Sequence, residues 1–201
     1  MLPEYRTIYR GGEDEIVEKK SRFIATVVPV NTEEEALEFV EKTRKKYWDA
    51  RHNCFAYIIG ERGQLQRCSD DGEPNGTAGK PMLDVLLGNG GLVRAYSGAV
   101  KAGLDASVVI TKILGVKLHI ETDYTTFGKI QYILAQRELK ILDTVYTDKV
   151  ELEVLIPKTD VDQVMHAITE GTNAQAEMTA GEECYYAEID GVPTILEENI
   201  I

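Results

Sequence analysis

The sequence predicts an α/β protein of the α+β kind in two domains, and three observations carry that prediction. From residue 117 onward the strand-like and helix-like segments come in the order βαββαβ, which is the order of a ferredoxin-like fold. Charge is divided unequally: residues 1–121 hold 17 Lys+Arg against 18 Asp+Glu, and residues 122–201 hold 5 against 16. The 201 residues, 43% of them hydrophobic, are enough for two proper cores. The expected domains are therefore 1–121 and 122–201, joined near Glu121 to Asp123.

Residues 13–30 read as one β-rich strand ended by Pro29. Lys19, Lys20 and Arg22 form a small cationic group on it, which serves either to guard a sheet edge or to meet phosphate. Thr32 is placed to cap a helix over 32–47, with Glu35 at the capping-box position. Glu33, Glu34 and Glu35 lie at the positive end of its dipole, and Lys42, Arg44, Lys45 and Lys46 at the negative end. Ala36, Phe39, Val40 and Thr43 share one face at helical spacing. Residues 53–59 and 64–68 read as a hairpin turned at Gly60-Glu61-Arg62-Gly63.

Pro81 suits the first turn of a short helix over 82–87. A second helix covers 92–104, with Leu92, Ala95, Tyr96 and Ala99 as its apolar stripe. Residues 108–110 and 116–120 are strand-like. The second domain then runs as strand 117–124, helix 126–138, strands 140–146 and 150–156, a helix capped by Thr159 or Asp160, and a final strand or pair within 174–189. His119 and His166 sit on apolar patterns and are expected to be packed rather than catalytic.

The stretch least like a core or surface segment is residues 68–81. It holds Asp70, Asp71 and Glu73 within four positions, three glycines, two prolines and a terminal cation, Lys80. It is not a phosphate-binding P-loop, because Pro74 stands where that motif needs glycine and Pro81 where it needs Ser or Thr. It is not an EF-hand, because its oxygen ligands do not alternate. Two readings stay open. The carboxylates and Thr77 can accept hydrogen bonds from the loop's own backbone, or the carboxylates can hold magnesium with waters. If the hairpin pairs as predicted, Arg51 and His52 lie beside residues 69–73. The mixed cluster is then either a binding or acid–base site or an ion-paired strand end.

The first residues, Met1-Leu2-Pro3-Glu4-Tyr5-Arg6, form no apolar leader, and no run is long enough to span a membrane. Cys54, Cys68 and Cys184 show no C-x-x-C spacing, so a reduced cytoplasmic setting is expected and zinc is not. The acidic second domain repels a phosphate backbone, which leaves the first domain to make any nucleic-acid contact.

Four segments, in order, resemble the YigZ/IMPACT family. They are Glu18-Lys19-Lys20-Ser21-Arg22-Phe23-Ile24, then Asp49-Ala50-Arg51-His52-Asn53-Cys54, then residues 69–81 described above, and Gly90-Gly91-Leu92-Val93-Arg94-Ala95-Tyr96-Ser97-Gly98-Ala99. The resemblance implies a first domain like the second domain of ribosomal protein S5. It implies a second, ferredoxin-like domain similar to one in translocating elongation factors. It further implies a translation-linked regulator that binds RNA or the ribosome, or, as in eukaryotic relatives, translation-control proteins of the amino-acid-starvation pathway.

Carried over by motif position, the binding surface comprises Lys20, Arg22, Arg51, His52, Asp70, Asp71, Glu73, Thr77, Lys80, Arg94 and Tyr96. No catalytic residue and no cofactor is implied, with magnesium at the carboxylate loop the one exception held open. Two rivals stand beside this reading. One is a metal-assisted hydrolase using Asp70, Asp71 and Glu73 with His52 as base. The other is a pure protein-interaction module, which the acidic second domain suits. The chain departs from the family in one place: members carry a β-branched strand and a glycine-rich turn between the equivalents of Leu87 and Gly90. Losing a strand would expose a sheet edge and part of a core, so a break in the backbone between Leu87 and Gly91 is expected.

Overall fold

The computed structural model describes residues 1–89 and 94–196, with the backbone alone at Arg94. The chain forms two compact units, residues 7–109 and residues 110–201 with 1–6. The division falls earlier than the expected join at Glu121 to Asp123. The reason is β6, Val108–Thr122, a single unbroken strand of 15 residues. It pairs with β8 and β9 of the second unit along most of its length, and β1, Glu4–Arg10, pairs with it too.

In the first unit the expected single strand over 13–30 is instead a hairpin. β2 (Gly12–Glu18) and β3 (Ser21–Val27) pair antiparallel in register from Gly12↔Val27 to Glu18↔Ser21. The turn is Lys19-Lys20, at φ 47° and 67°. Two-residue hairpin turns of this hand favour Asn-Gly, so nothing in a Lys-Lys pair announces one. α1 (Glu33–Lys46) is capped by Thr32 as predicted, its Oγ1 accepting from Glu35 N at 3.2 Å, but the Glu35 carboxylate reaches one residue further back than a capping box and accepts from Asn31 N at 2.7 Å. β4 (Phe55–Ile59) and β5 (Leu65–Ser69) form the predicted hairpin, with Phe55 opposite Ser69. α2 (Gly79–Leu86) starts two residues before Pro81, and α3 is Arg94–Asp105. Among the described residues no strand joins the two hairpins. Of the interval Leu87 to Gly91 in which a break is expected, Gly90 and Gly91 lie outside the described residues. The chain up to Asn89 closes a helical end, with Asn89 N donating to Asp84 O at 2.8 Å.

The second unit is ferredoxin-like. α4 is Tyr124–Ala135, β7 Ile141–Tyr146, β8 Val150–Pro157, α5 Val161–Thr172, β9 Glu177–Ile189 and β10 Val192–Ile195. The sheet order is β10-β9-β6-β8-β7, so β9-β6-β8-β7 follow the order expected of βαββαβ. Leu118 and Ile120 of β6, the four apolar residues Val150, Leu152, Val154 and Ile156 of β8, Ile130 and Leu134 of α4, and Val164 and Ile168 of α5 form one buried core. That period of two on the strands and three to four on the helices is the pattern the sequence displays. His119 and His166 are not packed inside as expected. His119 alternates with Leu118 and Ile120 onto the opposite face, 3.8 Å from Glu151, and His166 is exposed. No helix of the described residues is long and apolar enough to cross a membrane.

Candidate functional site

The loop between β5 and α2 is an ordered structure built around its own carboxylates. Asp70 accepts three backbone N–H groups: Gly76 at 2.9 Å on one oxygen, and Ala78 at 2.9 Å and Gly79 at 2.8 Å on the other. Those donors hold its pKa below the ordinary aspartate value. Thr77 Oγ1 donates back to Pro74 O at 2.6 Å. Gly79 is required here, since a Cβ on it would sit 2.8 Å from the backbone of Ser69. This explains why α2 starts at Gly79 and can fold directly onto the end of β5.

Asp71 occupies the left-handed region at φ 45° and is followed by Gly72 at φ 90°. Its carboxylate spans two elements, accepting from Arg44 of α1 at 3.1 Å and from Asn53 N at 2.6 Å. The arginine of the predicted cluster is therefore Arg44, not Arg51. Arg51 is exposed and has no carboxylate partner among the described residues. His52 does lie against the loop as predicted. Its Nδ1 is 2.8 Å from the carbonyl of Asp71, and a carbonyl only accepts, so Nδ1 carries a hydrogen. Nε2 then faces Glu73 at 3.7 Å.

Glu73 is the loop carboxylate with capacity to spare. It accepts from the phenol of Tyr96, on α3, at 2.8 Å. Tyr96 also packs edge-on against Phe23 of β3, at 5.2 Å between ring centroids. Burial first, and the Glu73 carboxylate next, raise the Tyr96 pKa and keep the phenol protonated. Beside it, Cys54 donates its thiol to Asp70 O at 3.0 Å. Burial pushes that thiol up to about 11, so it is not a thiolate nucleophile. Sequence reasoning missed Arg44, Asn53 and Cys54 here. Asn53 and Cys54 directly follow His52, and the pairing of β4 with β5 carries them to the loop.

The other predicted positions are dispersed. Arg22 pairs with Glu15 at 2.8 Å on the β2–β3 hairpin. Lys80 pairs with Asp84 one turn along α2, at 2.6 Å. Lys20 stands exposed in the β2–β3 turn. The side chain of Arg94 lies outside the described residues. The structure thus brings together His52, Asp70, Asp71, Glu73, Thr77 and Tyr96, and leaves Lys20, Arg22, Arg51 and Lys80 apart.

Residues 19–90 match the Impact N-terminal domain, and residues 120–175 match a domain of unknown function, DUF1949. The chain is 39% identical to IMPACT family member YvyE of Bacillus subtilis (strain 168), over 92% of this chain and 94% of that one. It is 33% identical to IMPACT family member YigZ of Escherichia coli (strain K12), over 82% of this chain and 92% of that one. Among solved structures, the crystal structure of a hypothetical protein matches with a TM-score of 0.52 at 29% identity, covering 90% of this chain and 99% of that one.

Proposed function

The chain belongs to the IMPACT family, and from that premise we propose that it is a translation-linked regulatory protein whose first unit, residues 7–109, binds RNA. The observation that carries this reading is the tip of the β2–β3 hairpin. Lys19 and Lys20 are both exposed, both in the left-handed region, and without a carboxylate partner among the described residues. Left-handed backbone is costly for residues other than glycine and is kept where the surroundings impose it. Two uncompensated ammonium groups side by side on one turn suit a phosphate backbone. The second unit, with its excess of carboxylates, repels one.

The hydrolase reading draws less support from the loop. Asp70 and Asp71 are occupied by backbone N–H groups and by Arg44, so a metal would have to displace them. The loop serves better as a rigid frame that holds Glu73, His52 and Tyr96 in place.

The reading is tested by the anisotropy of an end-labelled single-stranded RNA titrated with the full chain at several salt concentrations. Affinity is expected to fall linearly on a log–log plot, and the Lys19→Ala/Lys20→Ala variant to show a slope shallower by about 1–2. Salt-independent binding, or capture of protein without RNA on crosslinking in cell extract, would reverse the conclusion in favour of a protein partner.

A further inference from the structure

We propose that Trp48 is a stacking platform for an unpaired base of single-stranded RNA, with Lys42, Lys45 and Arg51 contacting the flanking phosphates. This inference rests on the RNA-binding reading above and extends it to a second place on the same unit. Trp48 is the chain's one tryptophan and is 82% exposed, more than any other large hydrophobic residue described. A tryptophan left so far in water forgoes the burial that normally holds it inside. No other large hydrophobic residue between Leu37 and Leu87 is exposed.

The indole projects from a fixed turn. Tyr47 closes α1, its N–H donating to Thr43 O at 2.9 Å. The carbonyl of Tyr47 accepts from Ala50 N at 3.0 Å and from the Asn53 side-chain amide at 3.3 Å. The Lys46 ammonium lies 4.7 Å from the centre of the Tyr47 ring. The backbone on both sides of Trp48 is thus held before any ligand arrives, which lowers the ordering cost of binding.

The cations within a few residues of it in the chain divide into two sets. Arg44 is bound to Glu41 and Asp71, and Lys46 to Glu13. Lys42, Lys45 and Arg51 are exposed and have no carboxylate partner among the described residues. Lys42 and Lys45 lie one turn apart on α1 and so share a face. Trp48 follows Lys45 by three residues, and Arg51 follows Trp48 by three. Asp49 is the one acidic residue after Glu41 in this stretch, leaving an excess of positive charge. An exposed aromatic ring with free cations three and six residues before it and three after it in the chain suits single-stranded nucleic acid, with bases on the ring and phosphates on the charges. Every base has a π-face, so the site is tolerant of sequence.

Because the protein has one tryptophan, emission excited beyond the absorption band of its tyrosines reports on position 48 alone. A single-stranded RNA of about ten nucleotides, titrated into the full chain, is expected to quench that emission. An abasic strand of equal charge, or the same RNA as a duplex, is expected to leave it unchanged. By anisotropy of the labelled RNA, Trp48→Ala is expected to lose roughly 5- to 100-fold in affinity, and Trp48→Phe to retain most of it. RNA that binds with unchanged emission, and binds Trp48→Ala as tightly as the parent, overturns the stacking role while leaving RNA binding by the first unit intact. No binding by anisotropy at any salt overturns both.

Discussion

The phenol of Tyr96 donates to Glu73 Oε1 at 2.8 Å, tying α3 to a loop 23 residues earlier in the chain. Phe23 packs edge-on against the same ring, so β3, α3 and the loop meet at one side chain. Tyr96→Phe keeps the ring packing and removes only the donor. It is expected to lower stability by about 1.5 kcal/mol, the low end for a hydrogen bond to a charged group because the pair is only partly buried. Chemical denaturation of the two proteins measures this, and an unchanged midpoint would show that water replaces the phenol without cost.

Asp70 is predicted to make the protein acid-sensitive. Its pKa is lowered in the folded state by the N–H groups of Gly76, Ala78 and Gly79. A depressed carboxylate contributes stability that is fully present above its unfolded value and is lost as pH falls through the folded value. The loss therefore belongs below the ordinary aspartate value of 3.8. Asp70→Asn is expected to be less stable at neutral pH and to show a flatter acid limb. Unfolding curves from neutral pH to below that value test it, and parallel limbs for the two proteins would refute the assignment.

The cysteines are predicted to react unequally. Cys68 is exposed, whereas Cys54 is half-buried, donates to Asp70 O and has a thiol pushed up to about 11. The thiolate is the reactive form. Iodoacetamide at mildly alkaline pH is expected to label Cys68 first and Cys54 only after unfolding, as followed by peptide mass spectrometry. Equal labelling rates in the folded protein would contradict the buried geometry.

Much of the candidate site was legible before the fold was known, but its partners were not. The density of Gly, Pro and carboxylate marked residues 69–81 as an ordered loop, and the hairpin signal placed His52 against it. The identity of the arginine was misread. Arg51 is next to His52 in sequence but points elsewhere, while Arg44 reaches Asp71 from a helix 27 residues away. Trp48 escaped notice for a different reason: sequence carries no mark of exposure, and a lone tryptophan reads as core until burial is measured.

What the sequence by itself determined lies within a few residues of chain. The capping of α1 by Thr32, the periodic apolar faces of α4 and α5, the alternation along β6 and β8, and the order βαββαβ are all of this kind, because capping and side-chain period are short-range properties. The tertiary structure decided the rest. It bent residues 13–30 into a hairpin at Lys19-Lys20, and it assigned all of β6 but its first two residues to the second unit through its partners. It also turned the carboxylates of Asp70 and Asp71 inward while leaving Trp48 in water. Each of these depends on which distant segment supplies a hydrogen bond or covers a surface, and that choice is made by the packing of the whole chain rather than by any local pattern.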